Sequence, residues 1–135
     1  MPTTSLISAH LDGRAQNPRF IQKQLRRLHR ALQENADVLQ AAAVADDHAT
    51  EQEALLEFLL SLEAVRRRFL ELDQRAMLQD EYRVANGLDW QSRRIPVGIV
   101  VIRPQTASML YSTVAPLVSA IAAGNCAMIE VSVDR

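Results

Sequence analysis

Six polar side chains follow two short apolar runs near the carboxyl end of the sequence. Arg103, Gln105, Thr106 and Ser108 come directly after PVGIVVI (96–102). Tyr111 opens the next segment, and Glu130 lies near the end of CAMIEV (126–131). If the two runs are parallel strands, these residues gather at their carboxyl ends, where open parallel sheets bind ligands. A carboxylate beside a phenol or a guanidinium can move a proton, which makes Glu130 and Tyr111 candidate catalytic groups. Arg103, Gln105, Thr106 and Ser108 would then hold a small polar substrate. The structural alternative is ordinary loop polarity with a carboxylate on an edge strand.

Other chemistry is poorly supported. The four glycines are isolated, so no phosphate-cradling loop is present, and there is no G-x-S-x-G nucleophile elbow. His10, His29 and His48 match no metal-ligand spacing. No cofactor and no metal are expected. Arg66, Arg67 and Arg68 fan out around a helix with Glu63 and Glu71 within a turn, which reads as a solvated, salt-bridged face rather than an RNA patch.

The elements that must position these groups can be read from periodicity. Residues 1–16 are polar and mixed, and read as a loose arm. Asn17-Pro18 starts a helix, with Asn as cap and Pro at the first position. Phe20, Leu25, Leu28, Leu32, Ala36 and Leu39 recur at helical spacing, extending it to about Ala45. Asp46-Asp47-His48 breaks it, and Thr50 with Glu53 forms a capping box. The second helix runs from Glu51 to Leu78, with a stripe of Leu55, Phe58, Leu59, Leu62, Val65, Phe69, Leu72 and Ala76. Leu56 and Leu60 widen that stripe, predicting cover on more than one side. Asn86-Gly87 reads as a hairpin turn between short strands near Val84 and Trp90. Pro96–Ile102 and Cys126–Val131 read as strands buried on both faces. A helix over 110–123, with Pro116 near its start and Gly124 after its end, makes a strand–helix–strand crossover. Residues 17–135 thus form one mainly helical α/β domain.

Bulk properties are those of a soluble globular chain, with 48% hydrophobic and 23% charged residues. A net charge of −1 gives no electrostatic case for nucleic acid or an anionic membrane. There is no signal-peptide pattern and no membrane-length apolar run. Cys126 is the single cysteine, so no internal disulfide can form, and a cytoplasmic setting is expected. As a small residue opening a buried strand, it reads as core.

The segment PVGIVVI…APLVSAIAAGNCAMIEVS, Pro96 to Ser132, resembles the aldehyde dehydrogenase superfamily, especially its shorter class-3-like and fungal forms. AIAAGN is its most diagnostic stretch. The resemblance implies a partial Rossmann-like βαβ unit at the start of an NAD(P)-binding domain, preceded by an antiparallel helical pair. It also implies that the family's catalytic cysteine and general-base glutamate lie beyond the matched residues, so Cys126 is not that nucleophile. The region holding Tyr82, Asp89, Trp90, Arg93 and Arg94 corresponds to one leading to an oligomerisation hairpin, which implies a subunit contact.

The departures are as informative as the match. The family's Pro-Trp-Asn loop supplies an oxyanion-hole amide, but here Gln105, Thr106 and Ala107 stand in its place. The family lysine near the cofactor ribose is replaced by Glu130, which would repel a 2′-phosphate. Such a truncated chain keeps the apolar framework without the redox groups. Two function classes follow. One is a repurposed fragment that binds a small molecule and performs non-redox isomerisation, cyclisation or dehydration in a biosynthetic pathway. The other is a non-catalytic pseudoenzyme that associates with itself or with a full-length dehydrogenase. Two parallel strands leave both edges unpaired, so completion by a homodimer is expected.

Overall fold

The computed structural model describes residues 2–46, 49–88 and 93–131. Eight regular elements follow in order: α1 (Pro2–Leu11), α2 (Pro18–Glu34), α3 (Ala36–Asp46), α4 (Glu51–Glu71), α5 (Gln74–Ala85), β1 (Ile99–Ile102), α6 (Met109–Ala122) and β2 (Cys126–Ile129). The result is a mainly helical α/β fold with one small parallel sheet. Strands β1 and β2 pair from Ile99 with Cys126 to Ile102 with Ile129. Helix α6 is the crossover between them.

The core lies where α2, α4 and α6 meet. Ile21, Leu25 and Leu32 of α2 pack with Phe58 and Val65 of α4 and Val114 and Val118 of α6. The spacing of these residues puts each set on one stripe of its helix. Cys126 is buried where β2 begins. No helix is long and apolar enough to cross a membrane among the described residues.

Both long helices of the sequence reading are broken once. Asn35 ends α2 because its backbone N–H and its Nδ2 both donate to the Ala31 carbonyl, the side chain at 2.8 Å. A side chain that competes for a helix carbonyl favours a break. Leu72 is extended, and Asp73 then caps α5 by accepting from the Ala76 N–H at 3.0 Å.

Three expectations are corrected. Residues 2–11 form α1 and residues 14–16 a short 3-10 turn, so the first segment is not a loose arm. Helix α1 lies against both strands. Val84 is in α5, not in a strand. Gly87, at φ 72°, ends that helix, with the Leu88 N–H donating to the Arg83 carbonyl at 2.8 Å. A left-handed residue serves a helix stop as well as a hairpin turn, and Asn-Gly cannot tell the two apart. Asp47, His48, Asp89 and Trp90 lie outside the described residues. The third correction concerns cover. Leu55, Leu56, Leu59 and Leu60 of α4 remain 46–58% exposed, and Val101 and Ile129 are exposed on the strands. The chain alone covers one side of α4, and the strands are not buried throughout.

The capping box at the start of α4 is present. The Glu53 carboxylate accepts from the Thr50 N–H at 2.8 Å and from its Oγ1 at 3.0 Å, and the Glu53 N–H donates to Thr50 Oγ1 at 3.2 Å. The bond from the Thr50 backbone, and then that from its hydroxyl, holds the Glu53 carboxyl below its ordinary value of 4.5. Folding therefore favours the ionised form. This contribution is complete above the ordinary value and is lost as pH falls through the lower folded-state value. Denaturant titrations from neutral pH to below 4 should show an acid-side loss of stability that is smaller in Glu53→Gln.

Candidate functional site

The turn between α6 and β2 sets the register of the sheet. The Asn125 N–H donates to the Ala120 carbonyl and the Gly124 N–H to that of Ile121, both at 3.0 Å. This pair of bonds is a Schellman stop. Gly124 has φ 78°, and a Cβ there would sit 3.3 Å from the Gln16 Cα, so no other residue fits without movement. The buried Asn125 side chain then accepts from the Gly98 N–H at 2.9 Å, while the Cys126 N–H donates to the Gly98 carbonyl at 3.0 Å. Asn125 thus joins the start of β1 to the start of β2. The most diagnostic stretch of the sequence is a structural clasp.

At the other end of the sheet, two of the six candidate residues meet. Arg103 Nε donates to Glu130 Oε2 at 2.7 Å, and the Glu130 N–H donates to the Ile102 carbonyl at 2.9 Å. The side chains are 77% and 52% exposed. An exposed pair of this kind is screened by water and worth at most about 1 kcal/mol. It neutralises Glu130 without enclosing it.

The other candidates belong to the loop after β1 and the start of α6. The Gln105 N–H donates to Ser112 Oγ at 2.9 Å, which folds the loop back over the first turn of α6. Thr106 and Ser108 lie in a 3-10 turn, with Thr106 exposed. Ser108 and Tyr111 meet a residue that pattern reading missed, Glu57 of α4. Its Oε1 accepts from Ser108 Oγ at 3.1 Å and from the Tyr111 N–H at 2.9 Å. A carboxylate from another helix thereby caps α6, where Ser108 itself makes no capping bond. Nothing in the sequence around Glu57 signals this, because the partners are more than fifty residues away. Glu57→Ala should cost about 1–2 kcal/mol, and Glu57→Gln under 1, since the amide keeps an acceptor but loses the charge. Urea midpoints of the two variants check this.

Glu57, Ser108 and Tyr111 line an open groove of about 490 Å³ with Glu53, Leu56 and Leu60. The structure thus divides four of the six candidates between two places. Arg103 and Glu130 pair at the strand ends, while Ser108 and Tyr111 face α4. Of the second polar-aromatic group, Tyr82 is exposed on α5.

Comparison with known proteins bears on the clasp and the crossover together. The bovine protein named aldehyde dehydrogenase family 3 member B1 is 33% identical over 133 aligned positions, covering 94% of this chain. The human and mouse proteins of the same name are 36% and 33% identical, covering 89% and 94% of it. The chain is aldehyde dehydrogenase-like over most of its length.

The aldehyde dehydrogenase-like chain spans about a quarter of those relatives, 28% of the bovine and 26% of the human protein. No family model matches it, and no solved structure does. The similarity extends through the helices as well as the strand–helix–strand segment, so α2 and α4 belong to the same framework as the clasp. Within that framework, the position of the oxyanion-hole amide implied by the resemblance falls in the 3-10 turn at Thr106 and Ala107. Neither residue carries a side-chain amide. The position of the ribose-side lysine is held by the Arg103-bound carboxylate of Glu130.

Proposed function

We propose that this chain acts as a non-catalytic association piece, using an aldehyde dehydrogenase-like framework to present apolar surface to another polypeptide. The observation that carries this reading is the row of half-exposed leucines on α4, Leu55, Leu56, Leu59 and Leu60. Contiguous apolar surface of this kind marks interaction sites. The state of Glu130 supports it, because its carboxylate is exposed and paired with Arg103 rather than enclosed in a pocket. The partner is a second copy or a full-length dehydrogenase.

A second reading is non-redox chemistry on a small molecule, such as isomerisation, cyclisation or dehydration. The groove at Tyr111 and Ser108 favours it, with Glu57 as the nearby carboxylate in place of Glu130. Light scattering of the purified chain, alone and mixed with a full-length aldehyde dehydrogenase, tests the first reading. Formation of a defined complex in either sample is expected. A monomer in both rules it out. An assay with NAD or NADP and a panel of aldehydes is expected to yield no reduced cofactor, and reduced cofactor would overturn both readings.

A further inference from the structure

The solvent face of α2 carries charge of one sign in a row. The helix holds five cations, Arg19, Lys23, Arg26, Arg27 and Arg30, and one carboxylate, Glu34, in a chain whose net charge is −1. All of these side chains belong to exposed residues. Arg19, Lys23, Arg26 and Arg30 follow an i, i+4, i+7, i+11 spacing. That spacing keeps them within about 60° of one another, on the face opposite buried Ile21, Leu25 and Leu32. They stand about 6, 4.5 and 6 Å apart along the axis, with Arg27 on the flank of the row.

The row runs against the local electrostatics of its helix. Arg19 with Lys23, Lys23 with Arg27 and Arg26 with Arg30 are like charges at i, i+4. Lys23 with Arg26 and Arg27 with Arg30 are like charges at i, i+3. Each such pair disfavours the helix. The first turn has no acidic residue, and Arg19 stands there at the positive end of the macrodipole. Helix α4 shows the ordinary arrangement, with Arg66 paired to Glu63 at 3.2 Å and Arg68 to Glu71 at 2.9 Å. On α2, Arg30 meets Glu34 at 3.4 Å, and Arg26 lies over the Phe69 ring of α4 at 5.5 Å. Arg19, Lys23 and Arg27 make no ion pair among the described residues. Carboxylates from outside the chain would relieve this repulsion, and complementary potentials of that kind select partners.

The surroundings of the row favour one kind of anion. The apolar face of α2 is occupied by the core, so the helix has nothing to insert into a lipid surface. No aromatic side chain lies in the row to stack on a base. The spacing is that of a helix and is the same read from either end. A second helix with carboxylates at i, i+4, i+7 and i+11 therefore meets each cation in turn. All but Lys23 are Arg, whose planar fork binds a carboxylate through two parallel bonds.

We infer that the solvent face of α2 is a docking surface for an acidic helix of a different polypeptide, held by Arg19, Lys23, Arg26 and Arg30. This goes beyond the association through α4 proposed above. It adds a charge-dependent surface on another helix, and neither surface needs the other.

A synthetic helix tests it on the full chain. The probe is an alanine-rich peptide of about twenty residues, long enough to be helical, with glutamates at i, i+4, i+7 and i+11. The control has the same composition with its glutamates spread around the helix. Fluorescence anisotropy at about 20 mM salt should show the probe binding at least about fivefold tighter than the control, with the difference fading toward about 300 mM. Lys23→Glu should weaken probe binding at least about fivefold. It should also raise the urea midpoint, because its like-charge pairs with Arg19, Arg26 and Arg27 become attractive. Arg67→Glu, an equal charge change on α4, should leave probe binding unchanged. Equal binding of probe and control, or no loss in Lys23→Glu, overturns the inference. Tighter binding of oligouridylate or of phosphatidylserine vesicles in the same assay also overturns it, and assigns the row to nucleic acid or to membrane. None of these results bears on the α4 leucine face, which light scattering reads separately.

Discussion

Phe58→Ala is expected to lower the stability of the fold by about 3–5 kcal/mol. Phe58 is 5% exposed and lies in the cluster formed by Leu25, Val65, Val114 and Val118. Removing its ring deletes the largest apolar group in the seam between α4 and α6, and the helices cannot close over the space without moving. A domain of this size has a total stability of about 5–15 kcal/mol, so the loss is a large part of it. Urea denaturation followed by circular dichroism should show a lower midpoint with an unchanged slope. A loss below about 1 kcal/mol would mean that the α4–α6 seam does not hold the core. The variant also bears on the groove. Glu57, the preceding residue, reaches the start of α6 only while this seam keeps the two helices together.

Asn125→Ala is expected to cost about 1–3 kcal/mol, because its side chain is buried and bonded. The substitution leaves the buried Gly98 N–H without its 2.9 Å acceptor. Unsatisfied buried donors carry a desolvation penalty that a lost surface hydrogen bond does not. The effect should be local as well as global. Hydrogen exchange at the Gly98 amide should accelerate beyond the change in the core helices, because this bond holds that amide directly, beside the bond from the Cys126 N–H to the Gly98 carbonyl. Equal acceleration everywhere would assign Asn125 to general packing instead.

Much of the helical framework was legible in the sequence for simple physical reasons. Asn17-Pro18 and Thr50 with Glu53 are starts whose capping bonds form within three residues, so their partners are visible in the same stretch of text. The parallel strand pair and its crossover were legible because β-branched runs flanking a helix leave few other arrangements. The breaks at Asn35 and at Leu72-Asp73 were harder to see. Each depends on one side chain outcompeting a helix that the apolar pattern would continue. The Asn86-Gly87 reading failed because the same left-handed glycine conformation closes a hairpin or ends a helix. Only the elements on either side decide which.

The site followed the same division. Residue type and position near the strand ends were enough to single out Arg103 and Glu130, and they do meet. Placing Tyr111 with Glu130 was not supported in the same way. Tyr111 sits at the start of α6 against α4, where its N–H is held by Glu57. Leu56 and Leu60 read as an extra buried stripe. Hydrophobicity indicates that a residue favours cover, but not that this chain supplies it.

The sequence by itself therefore determined the helical character of the segments after Asn17 and Thr50, the caps at those two starts, the βαβ order and the aldehyde dehydrogenase-like resemblance carried by AIAAGN. These depend on bonds and periodicities spanning a few residues. Tertiary structure alone decided that Asn125 clasps Gly98, that Glu57 caps α6, and that one face of α4 stays uncovered. Each of those outcomes depends on which helix lies opposite which, and no local pattern encodes that.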